Sequence, residues 1–148
     1  MGLVERRGHD FVVTDVFLFD QEVSRLDTAL SPADVANFLI ETIEAGRDPE
    51  AIKLWWHSHA GAPVFWSALD ERTAGSFSND YMLSLVGNKR GHMRCRLDTY
   101  GSHRLTLDRL PFEISFDEDP DLVETVRAEI QQKVRESRAE YPDDMFLE

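Results

Sequence analysis

The chain has 148 residues, enough for one domain with a real core. Its formal net charge of −12 argues against nucleic acid, which demands a basic footprint, and against docking on an anionic membrane surface. The single cysteine, Cys95, rules out an intrachain disulfide; with no bilayer-length apolar run and no signal-peptide grammar at the N-terminus, a cytoplasmic protein is expected.

In chain order, Gly2–Val4 is a short apolar run, Arg6–Asp10 a turn with Gly8 available for positive φ, and Phe11–Phe19 a strand rich in β-branched and aromatic residues. Together they predict a hairpin, with His9 as a surface histidine in its turn. Asp20–Leu30 has no clear period and reads as a loop. Ser31-Pro32-Ala33-Asp34 has the grammar of a helix start, with Ser at the N-cap, Pro at N1 and a carboxylate at N3. Val35, Phe38, Leu39 and Ile43 then form a stripe expected to pack on a sheet, and Gly46 suits the position just past the helix end.

The run Ile52–Trp56 predicts a buried strand that continues into His57-Ser58-His59. Strand side chains alternate, so the two histidines point the same way, together with Trp55, while Trp56 faces the other side as core. Ala60–Trp66 holds Gly61 and Pro63 and reads as a loop. Ser67 is the N-cap of a helix through about Phe77, with Asp70 in its first turn. The loop can return Asp70 to the imidazoles. Taken alone, Ser67-x-x-Asp70 is a capping box; with the histidines, it completes the ligand set of a catalytic zinc site, two imidazoles and a carboxylate with a fourth position open. Trp66 is either core or part of a substrate groove.

Tyr81–Val86 predicts another strand, Asn88–Gly91 a turn, and His92–Tyr100 a strand with Met93, Cys95 and Leu97 on one face and Arg94, Arg96 and Asp98 on the other. Cys95 therefore reads as a small core residue. His103–Phe116 adds one or two strands broken at Pro111. Asp117–Pro120 starts a last helix, about 119–140, with Leu122, Val126, Ile130 and Val134 along one stripe. This helix either covers the sheet or is a candidate homodimer contact. The tail from Tyr141 is expected to be loose.

His57-Ser58-His59, Ser67 and Asp70 match, position for position, the JAMM motif of the JAB/MPN domain metalloproteases. The chain resembles that family over about Gly2–Tyr100, and it is most similar to the small stand-alone prokaryotic and phage members, whose second strand, the run ending in Asp-Gln-Glu-Val-Ser, and Asn-Lys-x-Gly turn look like Asp15–Ser24 and Asn88–Gly91 here. The resemblance implies an α/β fold, a cytidine-deaminase-like mixed β-sheet flanked by helices, with residues 1–148 as a single JAB/MPN-like domain. It implies a zinc-dependent peptidase or isopeptidase acting on a protein or peptide, including ubiquitin-like conjugates. His57, His59 and Asp70 would hold Zn2+, and Ser67 would be the catalytic hydrogen-bond donor to the oxyanion. In the family the general-base glutamate precedes a Gly-Leu-Leu-like segment. Here Gly2-Leu3-Val4 occupies that segment, so the glutamate falls before Met1: either the true start lies upstream or the chain lacks the base. Glu5 lies after the segment and does not inherit the role; Glu22 reads as a solvated loop carboxylate, with a stand-in base as the alternative. Ala60 stands where the family often has proline, which predicts a looser loop. The competing reading is an inactive MPN-type scaffold that keeps the metal ligands. A zinc deaminase is excluded because it needs Pro-Cys-x-x-Cys, and this chain has one cysteine.

Overall fold

The computed structural model describes residues 1–19, 21–23, 28–30, 32–115 and 119–136. In chain order they form β1 (Gly2–Arg7), β2 (Asp10–Val16), β3 (Gln21–Val23), β4 (Thr28–Leu30), α1 (Pro32–Glu44), a 3-10 turn (Pro49–Ala51), β5 (Ile52–Ser58), α2 (Ala68–Gly75), β6 (Tyr81–Gly87), β7 (Met93–Tyr100), β8 (Arg104–Asp108), α3 (Leu122–Lys133) and β9 (Val134–Glu136). The class is α/β. The chain divides into two compact units, Met1–Phe17 with Asp48–Asp117, and Leu18–Arg47 with Glu118–Glu148.

The first unit is a six-stranded mixed sheet of order β2-β1-β5-β6-β7-β8. The β5–β6 pair is parallel and its neighbours are antiparallel. A parallel pair needs a crossover, and α2 with its flanking loops supplies it. The expected β1–β2 hairpin is present, with Gly8 at φ 66° in its turn. Gly2 is required where it stands, because a Cβ there would come within 2.7 Å of the Asp15 carbonyl oxygen and 2.9 Å of Leu54.

The two faces of this sheet differ in chemistry. On one, Val4, Leu54 and Leu83 are buried together, with Trp56, Leu85, Cys95, Leu97 and Leu110 packed around them. Trp56 and Cys95 thus take the core roles expected of them. On the other face the register aligns Trp55 with Ser84 and Ser84 with Arg96, while His57 pairs with Val86. Helix α2 lies over this second face, where the Tyr100 hydroxyl donates to the Ala74 carbonyl at 2.7 Å. The alternation expected in β7 holds, yet its charged side is the more deeply buried, with Arg96 1% and Asp98 0% exposed.

The second unit contains α1, α3 and a three-stranded sheet of order β4-β3-β9. Here three expectations are corrected. The stretch read as a loop forms the hairpin β3–β4, pairing Gln21 with Leu30 and Val23 with Thr28. The last helix spans Leu122–Lys133, shorter than 119–140, because Val134 leaves it to pair as β9 alongside Gln21 of β3. On α1, Phe38 packs edge-on against Phe19 at 4.8 Å, but Leu39 and Ile43 are exposed, so the stripe is only partly used. Gly46 has φ 70° just beyond this helix, as expected. Ser31, Phe116–Glu118 and the tail from Tyr141 lie outside the described residues. Of the one or two strands expected over His103–Phe116, one forms among the described residues, β8, and Phe112–Ser115 is not part of a strand. Among the described residues no helix is long and apolar enough to cross a membrane.

Candidate metal centre

Strand β5 delivers His57 to the face under α2, its ring stacked on Trp55 with centroids 4.6 Å apart. His59 lies just past the strand, but its backbone N–H still donates to the Gly87 carbonyl at 2.9 Å, so it keeps strand geometry and faces the same way. The two Nε2 atoms are 3.3 Å apart. Between His59 and Ser67 the loop is tied to the β6–β7 turn: Lys89 N–H donates to the Ala60 carbonyl and Asn88 Nδ2 donates to the Ala62 carbonyl. Ala60 takes φ 48°, a left-handed conformation that proline cannot adopt. A proline at this position is thus incompatible with the loop path, and the two bonds to the β6–β7 turn restrain the loop that was expected to be looser.

At the end of the loop the capping box forms as the spacing predicts. Asp70 N–H donates to Ser67 Oγ at 3.1 Å, and Ser67 N–H donates to Asp70 Oδ2 at 2.6 Å. The box fixes the Asp70 carboxylate at the first turn, where the helix dipole favours it. Asp70 is buried, 6% exposed, with Oδ1 3.2 Å from His57 Nε2 and Oδ2 3.6 Å from His59 Nε2. These three residues form the one group of three or more potential metal-ligating side chains among the described residues.

The donor set can be tested against zinc. Tetrahedral ligands 2.0–2.1 Å from a common ion stand about 3.3–3.4 Å apart. The nearest separations are 3.2 Å from His57 to Oδ1, 3.6 Å from His59 to Oδ2 and 3.3 Å between the imidazoles, so both carboxylate oxygens face the centre; with one atom from each residue the three lie within 4.8 Å of one another. Protonation is right as well. The Pro63 carbonyl can only accept, so at 2.9 Å it draws the proton onto His59 Nδ1 and leaves the Nε2 lone pair facing the centre. Burial pushes the His57 pKa below its ordinary value; Asp70 works against this but does not overcome it. His57 is therefore neutral at pH 7, as a ligand must be.

Aromatic rings wall the centre. Phe65 meets the His59 ring edge-on at 4.8 Å, and the Trp66 centroid lies 6.1 Å from that of His57. Trp66 is held from two sides: its Nε1 donates to Asp108 Oδ1 at 3.1 Å, and the Arg96 guanidinium lies 4.1 Å over its ring. Glu5 is exposed and paired with Arg7 at 2.8 Å. It also lies on the wrong part of β1, since Gly2 and Leu3 pair with Leu54 and Ile52 and the strand then runs away from His57. Glu22 belongs to β3 in the other unit, and its side chain lies outside the described residues. His9 stands exposed in its turn.

Sequence reasoning missed the polar layer beneath α2, made by Arg96, Asp98, Arg104 and Glu71. The available signal was Arg-x-Arg-x-Asp at alternate positions of a strand with another strand on either side.

The chain matches no family model, no curated protein and no solved structure. The functional reading therefore rests on these residues and their geometry.

One acid-linked prediction arises at Trp66. The Arg94 guanidinium, with Trp66 Nε1 and the Arg109 N–H, holds Asp108 well below the usual carboxylate range. A depressed carboxylate contributes stability at neutral pH that is lost as pH falls below about 4, its ordinary value, and on through its folded pKa. Asp108→Asn is expected to be less stable than wild type at neutral pH, with a gap that narrows steadily as pH falls from about 4 towards 2 without closing there. Urea midpoints over that range check this; a constant gap would show that Asp108 acts through packing instead.

Proposed function

We propose that this chain is a zinc-dependent hydrolase of the JAMM type, cleaving a peptide or isopeptide bond in a protein substrate, with ubiquitin-like conjugates as the substrate class to test first. The observation that supports it is the convergence of His57 Nε2, His59 Nε2 and the Asp70 carboxylate, whose Oδ1 faces His57 at 3.2 Å and whose Oδ2 faces His59 at 3.6 Å, with the two imidazole nitrogens 3.3 Å apart. On this reading His57, His59 and Asp70 hold the metal. Zinc with three protein ligands supplies Lewis acidity and a bound water acidified to a pKa of about 7.

The chain's own residues then have separable tasks. His59 keeps its lone pair on the metal because Pro63 fixes its tautomer. Ser67 Oγ accepts from the Asp70 N–H, which leaves the hydroxyl hydrogen to donate to the carbonyl oxygen of the substrate. Phe65 and Trp66 keep bulk water from the centre. The half-buried, unpaired Cys95 fits a reducing compartment, the cytoplasm.

The test pairs metal content with turnover. Protein purified without chelator is expected to carry about one zinc per chain, and a stoichiometry near zero that zinc does not restore would overturn the reading. An N-terminally extended form with a glutamate ahead of Gly2 is expected to hydrolyse a ubiquitin-like conjugate about 10²–10⁴-fold faster than residues 1–148, at unchanged zinc affinity. Zinc at full occupancy with no turnover in either form would favour the metal-bearing MPN-type binding module.

Ser67→Ala separates two roles for one side chain. Loss of the cap is expected to destabilise the fold by about 1 kcal/mol. Loss of the oxyanion donor is expected to lower kcat by about 10²–10³-fold in the active form, with zinc retained. Stability comes from urea unfolding and zinc from elemental analysis. Loss of zinc instead of rate would assign Ser67 to the helix cap alone.

A further inference from the structure

We infer that Arg96 is the positioning residue of the metal centre, setting the place of Asp70 through Glu71 and Trp66; this rests on the metal-site reading above. The helix that carries Asp70 has almost no apolar anchorage. Its buried residues are Asp70 and Ala74, and Leu69 is exposed. A helix of eight residues with so little burial cannot hold its place by hydrophobic packing.

What holds it is polar. Arg96, 1% exposed, rises from β7 under the start of the helix. Its Nη1 donates to the carboxylate of Glu71, the residue next to Asp70. Its Nε lies 3.0 Å from Asp98 Oδ2, and Asp98 is itself fully buried. The face of the guanidinium supports Trp66, the residue before the N-cap. One planar group thus contacts both sides of the capping box, Trp66 before it and Glu71 within the first turn. Arg104 reinforces Glu71 from β8, through the carboxylate at 2.7 Å and the backbone carbonyl at 3.3 Å. Lysine could not do the same, because a single ammonium cannot stack flat under an indole while reaching two carboxylates in fixed directions.

The consequence is that Asp70 meets His57 and His59 at ligand spacing only while Arg96 keeps the helix start in register. The experiment is a Co2+ titration of the full chain, read by the visible d–d bands, which report ligand geometry, alongside circular dichroism for the fold. Arg96→Met and Glu71→Gln are each expected to weaken Co2+ binding about 10–100-fold and to alter the band pattern, with the fold intact. Arg96→Lys should not rescue it. The control is Lys53→Met, which removes another buried cation of the same sheet, Lys53, from its ion pair with the exposed Asp80. It should lower stability and leave the Co2+ spectrum unchanged. If Arg96→Met fails to fold, Glu71→Gln and Arg96→Lys carry the test. A wild-type spectrum in Glu71→Gln and Arg96→Lys would overturn the inference, as would an equal loss of Co2+ in Lys53→Met. If wild type binds no Co2+ at all, the metal-site reading itself has failed.

Discussion

Asp98→Ala is expected to cost about 3–5 kcal/mol, the range for breaking a buried ion pair by removing one partner. Asp98 is fully buried in β7 and stands between two cations, with Arg104 Nε at 2.8 Å and Arg96 Nε at 3.0 Å, while the Thr106 hydroxyl also donates to it. Removing the carboxylate leaves Arg96 buried with Glu71 as its remaining ion-pair partner. A guanidinium cannot lose its charge by deprotonating, so the desolvation cost stays. Against a whole-domain stability of about 5–15 kcal/mol, such a loss brings the fold close to its limit. Urea unfolding at neutral pH measures it, and a loss under about 1 kcal/mol would mean that water reaches this layer. Replacing both partners, as Asp98→Leu with Arg96→Met, should recover much of the stability while leaving the metal centre impaired.

The second large effect is on the metal. On the proposed metal reading, His57→Ala should bring zinc content to background, since it would remove one of three protein ligands, together with the ring that Trp55 stacks against. Asp70→Ala should weaken binding strongly and also take away the reciprocal half of the capping box, at about 1 kcal/mol in stability. Turnover should vanish in both. Zinc analysis and a conjugate-cleavage assay on the same preparations check this. Retained zinc in His57→Ala would point to a ligand set other than the three named.

These effects could be read unequally from the sequence. The clustering of His57, His59 and Asp70 was legible because each step uses a short-range rule: period two puts His57 and His59 on one face, and Ser67-x-x-Asp70 is a cap signal whether or not metal is present. The long elements β2, β5, β6 and β7 were legible for the same reason, having enough residues to show a period. Strands β3 and β4 were not, because three residues carry no periodic signal and their pairing is decided by neighbours. Val134 continues the helical stripe of α3 by spacing, yet it is β-branched and ends in a strand that tertiary pairing selects. Arg96 and Asp98 read as the polar side of β7. The alternation Arg-x-Arg-x-Asp on a strand flanked by two others hinted at a polar layer, but the partner that covers it, Glu71, is distant in sequence, and no local rule names it.

The pairing of β9 with β3 bears on how the chain is made. It joins Gln21 to Val134, so the three-stranded sheet closes only after nearly the whole described chain has been synthesised. The six-stranded sheet is complete in sequence at Asp108, the end of β8. At roughly 5–20 residues per second, Val134 follows about 1–5 s later. During that interval the β3–β4 hairpin has an open edge and no third strand, the kind of edge that recruits strands from other chains. Nascent chains stalled or cleaved between Asp108 and Val134 should therefore self-associate through residues 21–30, while the half that carries His57, His59 and Asp70 already has every strand of its own sheet.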